Sequence, residues 1–260
     1  MVKKRIIFSL LYDDGNFCLS RNFRLQSVGN IKWLLDTYNF ENISNSIDEL
    51  IILNVGEGEV TDARFLHSVE DLSKNIFVPI SIGGGITTIN QAEILFRSGA
   101  DKITLNTLYR ENAGLTKMLA REFGSQAIVG SVDYQRDNNQ LNLMYTTFTN
   151  RGQSAWLPLS DHIKMLIENQ CGELLLRSMD RDGTGMGLDL PVLEHLGGPL
   201  DVPLILEGGV GNGAHIVEGF SSPSVDAVCT ANLLNFVGDG LTRARNFVDE
   251  AYFDRLRVSE

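Results

Sequence analysis

Cysteine and histidine are scarce in this chain. Three cysteines (Cys18, Cys171, Cys229) and four histidines (His67, His162, His195, His215) are spread over 260 residues. Their spacing matches no zinc or redox motif, so no metal and no other cofactor is expected. A reduced, cytoplasmic setting fits this usage. Positive charge is also in short supply: 22 lysines and arginines face 33 acidic residues, a net charge of −11. Such a chain repels nucleic acid and anionic membrane surfaces, and neither is an expected partner. It can still take anionic small molecules, because local backbone dipoles decide that. Long apolar runs are missing, so no segment is expected to span a bilayer. The N-terminal run from Ile6 to Tyr12 stops at Asp13-Asp14-Gly15 and reads as a strand entering a turn. Linkers and low-complexity segments are missing too, and one domain covering 1–260 is expected.

What is present is an internal repeat. Val78-Pro79-Ile80-Ser81-Ile82-Gly83-Gly84-Gly85-Ile86 is echoed by Val202-Pro203-Leu204-Ile205-Leu206-Glu207-Gly208-Gly209-Val210. The apolar run before each also echoes: Asp48-Glu49-Leu50-Ile51-Ile52-Leu53 against Gly172-Glu173-Leu174-Leu175-Leu176-Arg177. Glu49 precedes Gly84 by 35 positions, and Glu173 precedes Gly208 by the same 35. Each unit reads strand–helix–strand, which predicts a (βα)8 barrel of two similar halves. The length suits one such barrel, typically about 250 residues.

Eight apolar runs without clean alternation read as strands buried on both faces. They are Arg5–Tyr12, Glu49–Val55, Pro79–Ile82, Lys102–Asn106, Ala127–Asp133, Glu173–Met179, Pro203–Leu206 and Asp226–Ala231. Amphipathic helices are predicted over Ile89–Phe96 and Asn112–Phe123. Tyr134–Trp156 is polar and β-prone, and predicts a hairpin-like excursion.

Barrel enzymes hold their chemistry at strand C-terminal ends. Gly84 and Gly85, with Asn106 and Thr107 one strand on, suit a phosphate: glycines let it approach backbone N–H groups, and Asn and Thr add donors. The repeat predicts a second cradle from Asp182, Gly183, Gly209 and Asn232. Glu207 weakens it, since a carboxylate beside a phosphate repels unless it points away. Asp133 ends the fifth run, where a carboxylate can act as general acid or base. A phosphorylated small molecule is the expected ligand.

The residues Lys4-Arg5-Ile6-Ile7, Asp14-Gly15, Asn22-Phe23, Asp48-Glu49-Leu50, Gly83-Gly84-Gly85-Ile86, Gly99-Ala100-Asp101-Lys102, Phe123-Gly124-Ser125-Gln126 and Asp180-Arg181-Asp182-Gly183-Thr184 carry a family resemblance. From end to end the chain resembles the cyclase subunit of imidazole glycerol phosphate synthase. That resemblance implies a glutaminase-like partner under the N-terminal face. Ammonia would rise through the barrel to a top face that cleaves and cyclises a substrate with two phosphates. It implies an ammonia gate of Arg5, Glu49, Lys102 and Glu173, a docking contact at Asp101, and catalysis by Asp133. The chain departs from the pattern at Leu11, where a second catalytic Asp is expected. It departs also at Leu19 for a loop lysine, Asn54 for a carboxylate, and Glu207 and Asn232 for serines.

These departures make the chain similar to the paralogous branch that accompanies acetamidino modification of bacterial surface sugars. That branch implies ammonia delivery for amidination of a phosphorylated or nucleotide-linked sugar, with a separate amidotransferase as a further partner. The alternative is an authentic cyclase of histidine biosynthesis, an ammonia-dependent lyase. A scaffold without chemistry of its own is a third reading, and it predicts no ligand at Gly84–Asn106.

Overall fold

Alternation along the strands, hidden in the sequence by continuous apolar runs, builds two cores. The computed structural model describes residues 4–38, 40–137, 144–231 and 239–252. The strands are β1 (Arg5–Asp13), β2 (Asn16–Arg21), β3 (Arg24–Gly29), β4 (Glu49–Asn54), β5 (Ile80–Gly83), β6 (Lys102–Leu105), β7 (Ile128–Asp137), β8 (Met144–Thr149), β9 (Ser154–Pro158), β10 (Glu173–Ser178), β11 (Leu204–Glu207) and β12 (Ala227–Thr230). The helices are α1 (Ile31–Thr37), α2 (Phe40–Ser44), α3 (Ala63–Ser73), α4 (Ile89–Arg97), α5 (Thr107–Glu111), α6 (Ala113–Phe123), α7 (Leu159–Glu168), α8 (Gly213–Ser221) and α9 (Gly240–Tyr252).

Strands β1, β4, β5, β6, β7, β10, β11 and β12 pair in parallel in that order. Pairing of β7 with β10 and of β12 with β1 closes the ring. This is the predicted (βα)8 barrel, and every predicted strand start is met to within one residue. The predicted helices are met as α4 and α6. Thr88 caps α4 in a reciprocal box with Gln91, and Asn112 caps α6.

Ile6, Phe8 and Leu10 of β1 face the helices, with Leu50 and Ile52 of β4 and Leu174 and Leu176 of β10. The residues between them (Ile7, Leu11, Ile51, Leu53, Leu175) form a second cluster with Val129, Ile205, Ala227 and Cys229. Side chains alternate across a strand, so this second cluster fills the lumen. The lumen is an apolar waist with charge above and below it.

Two hairpins rise from the top. β8–β9 extends β7 and answers the predicted excursion. β2–β3 was not foreseen. It pairs with the upper end of β1, with Leu11 opposite Cys18, and turns at Asn22-Phe23. Its strand β3 is exposed along most of its length, so no apolar alternation marks it.

Candidate functional site

At the N-terminal end, Arg5, Glu49, Lys102 and Glu173 begin or closely follow the starts of four strands and point inward. Arg5 bridges Glu49 and Glu173 through its two terminal nitrogens. Lys102 Nζ donates to Glu49 Oε1 at 3.0 Å and to Glu173 Oε2 at 2.8 Å. Two cations and two anions therefore close one ring. The four residues named from the sequence are brought together, though nothing in the sequence places them within 4 Å. Burial works against the Glu173 carboxylate, but Arg5 and Lys102 outweigh it and hold its pKa below the ordinary 4.5. Asp101 lies on the same face and is exposed; its Oδ2 accepts from Ile80 N at 2.8 Å. Asp48 and Asp226 make the same clamp, to Ile6 N and Leu204 N. Part of the reason for Asp101 is thus strand registry.

At the C-terminal end a cavity of about 230 Å³ opens above β4, β5, β6 and β7. Gly84, Gly85, Asn106 and Thr107 all line it, as does Asp133. Gly84 sits at φ 107°, where a Cβ would lie 2.0 Å from Asn54 O, so only glycine fits. A Cβ on Gly85 would meet nothing within 4 Å, which leaves its backbone open to a ligand. Asn106 Nδ2 donates to Asp133 Oδ2 at 2.9 Å, so that donor serves the carboxylate. Thr107 Oγ1 accepts from Asn150 N of the β8–β9 turn.

The sequence reading missed Arg177. It lines the cavity, and its Nη1 lies 3.3 Å from Asp133 Oδ1 and its Nε 3.0 Å from Glu207 Oε2. Glu207 therefore faces the lumen, where its charge is paired. The signal was available: Glu173, Leu175 and Arg177 fall at alternate positions of one strand, and the first was already placed inside. Asp133 is 3% exposed. Burial pushes its pKa up to about 6. Arg177 and Asn106 pull it down, while Glu207 and Asp182 push it up. Burial also opposes charge on Arg177, yet Glu207 and Asp133 keep it firmly protonated.

Leu11 is buried in the apolar waist opposite Leu53, and no carboxylate stands there. Asp14 turns away to the exposed Arg64, at 2.8 Å. Asn54 spends its amide on its own loop, donating to Gly58 O at 2.9 Å and accepting from Gly56 N. A carboxylate could not make the first of these bonds.

The second cradle is differently used. Asp182 Oδ2 accepts from Ser20 Oγ at 2.5 Å and from Phe23 N at 2.9 Å, so its carboxylate anchors the β2–β3 hairpin. A Cβ on Gly183 would lie 2.2 Å from Ser20 O, and one on Gly209 would lie 2.1 Å from Gly187 O. Both glycines thus allow loops to pack closely. Asn232 lies outside the described residues. A separate cavity of about 270 Å³ remains here, lined by Arg21, Arg24, Gly183 and Gly185 among others.

Comparison with known proteins accords with this architecture. The family model described as "Histidine biosynthesis protein" matches residues 27–238. The chain is 44% identical over 246 residues to the "Putative imidazole glycerol phosphate synthase subunit hisF2" of Parasynechococcus marenigrum, covering 94% of this chain and 90% of the relative. It is 33% identical over 252 residues to the "Imidazole glycerol phosphate synthase subunit HisF" of Chloroherpeton thalassium, covering 96% and 97%. To the protein of the same name from Chlorobaculum parvum it is 32% identical over 250 residues, covering 95% and 96%.

Proposed function

The chain belongs to the histidine biosynthesis protein family, and on that premise we propose that it is the ammonia-receiving barrel of a glutamine amidotransferase. A glutaminase-like subunit docks on the N-terminal face, beside Asp101. Ammonia enters past Arg5, Glu49, Lys102 and Glu173 and leaves at the top, where it amidinates a phosphorylated or nucleotide-linked sugar. A separate amidotransferase shares in that step, and the product is an acetamidino sugar of a surface polysaccharide.

The observation that carries this reading is the contrast between a complete charged ring below and an altered top face above. Leu11 fills the place of the family cyclase's second carboxylate. A positioned acid or base is worth about 10²–10⁴ in rate, so its loss is heavy for a reaction that moves protons on both sides of a substrate. The Gly84–Gly85 cradle and Asp133 remain to bind one phosphate and handle one proton. Neither nucleic acid nor a membrane has a place in this scheme.

A second reading, the authentic cyclase of histidine biosynthesis, draws on the full-length likeness to subunits of that name. One assay separates the two. The purified chain is mixed with the phosphoribulosyl-formimino-carboxamide ribonucleotide and ammonium, and release of the carboxamide ribonucleotide is followed. Turnover at a biosynthetic rate would establish the cyclase. We expect none, from protein that still binds a phosphate ester.

A further inference from the structure

The β2–β3 hairpin stands between the two cavities of the top face. It leaves the end of β1 and reaches the loop after β10. There Asn22 Nδ2 donates to Met179 O and Asp180 O, both at 3.1 Å, and Phe23 N donates to Asp182 Oδ2. At its tip the Phe23 ring lies over the Arg177 guanidinium, 5.0 Å from ring centre to carbon. From the other side Gly152 of the β8–β9 turn closes on the same ring, so that a Cβ there would be 2.8 Å from Phe23 Cδ2. Hairpin residues Leu19, Arg21 and Arg24 line the second cavity, and Arg177 lines the first. Among the described residues, no residue lines both.

The backbone of the tip has an unusual conformation. Asn22 and Phe23 have φ of 50° and 60°. Two left-handed residues make the tight hairpin turn of the primed type, where Asn and Gly are the usual occupants. A bulky aromatic there is strained and persists only when its surroundings hold it. Asp182 supplies the hold, and stacking on a cation supplies a reason. Arg177 is in turn fixed by Asp133 and Glu207.

We propose that Phe23 and Arg177 form a partition across the mouth that restricts the substrate to one phosphoryl group, seated in the Gly84–Gly85 cavity. The stack ties the hairpin that lines the second cavity to the arginine that lines the first, so a molecule with a phosphate in each cradle would have to displace it. The inference rests on the reading of Gly84, Gly85, Asn106 and Thr107 as a phosphate cradle, and of the two sugars proposed above it selects the phosphorylated one over the nucleotide-linked one: a monophosphate ester.

Calorimetric titration with ribose 5-phosphate and ribulose 1,5-bisphosphate tests it. The intact chain should bind the two within about threefold of each other. Phe23→Ala should leave ribose 5-phosphate binding unchanged and tighten ribulose 1,5-bisphosphate by about tenfold or more. Phe23→Gly, which suits the left-handed backbone, should do the same and guards against a folding defect in the first variant. Preference of the unaltered chain for the bisphosphate by more than about tenfold would overturn the partition, as would an unchanged ratio in both variants. Failure of folded protein to bind either ester would instead overturn the cradle reading, and the inference with it.

Discussion

The two ends of the lumen are both closed by buried charge, but in different proportions. Below, two cations meet two carboxylates, and the ring is balanced. Above, one cation, Arg177, is shared by Asp133 and Glu207. In the balanced ring Arg5 and Lys102 hold the Glu173 pKa below its ordinary value, and the ring behaves as a fixed part of the structure. In the unbalanced cluster burial raises the Asp133 pKa to about 6, and Glu207 offsets part of the opposing pull of Arg177. The two ends therefore differ in how readily a buried carboxyl group can hold a proton.

The largest expected effect comes from breaking the balanced end. Arg5→Met leaves two buried carboxylates facing only Lys102. A loss of about 3–5 kcal/mol in urea unfolding is expected, as for removal of one partner from a buried pair. Retention of full stability would show that water already reaches the ring.

The next effect concerns the first cradle. Gly84→Ala places a Cβ against Asn54 O at a positive φ, whereas Gly85→Ala meets only open space at φ 72°. Gly85→Ala should cost about 1–2 kcal/mol from backbone strain alone, and Gly84→Ala distinctly more. Equal costs in thermal unfolding would mean that the backbone at Asn54 yields.

The ends also differ in the sign of their response to pH. Asp133 binds its proton more tightly when folded, with a pKa of about 6 against an ordinary 3.8. Its contribution therefore lowers stability as pH rises from about 4 to about 6, and is constant above. Glu173 has a lowered pKa, so its contribution is present above 4.5 and is lost as pH falls through the lowered value. Carboxyl-carbon NMR should find Asp133 titrating near 6 and Glu173 in the acid range. A single shared midpoint would abolish the contrast.

The smallest effect sharpens the comparison. Glu207→Gln gives Arg177 wholly to Asp133, and the Asp133 midpoint should move down. Arg177→Met should move it up. No movement in either variant would show that burial alone sets it.

The eight barrel strands were legible because each is an apolar run closed by glycine or a polar turn, and parallel strands covered on both faces leave that mark. The lower ring was legible through family likeness, and the glycine-lined turn of the first cavity through its consecutive glycines. The β2–β3 hairpin escaped because β3 is mostly exposed and alternates nothing. Arg177 and the direction of Glu207 escaped for another reason. Their partners lie on neighbouring strands 30 and 44 positions away, and only strand register brings them together.

By itself the sequence determined the repeat, the barrel, the residue types at both ends and the absence of a carboxylate at Leu11. These follow from periodicity and chemistry along the chain. Tertiary structure alone decided that Glu207 turns inward, that one arginine serves two acids, and that Asp182 anchors a hairpin as the second cradle packs against it. Each depends on which side chains meet across strands, and closure of the barrel settles that.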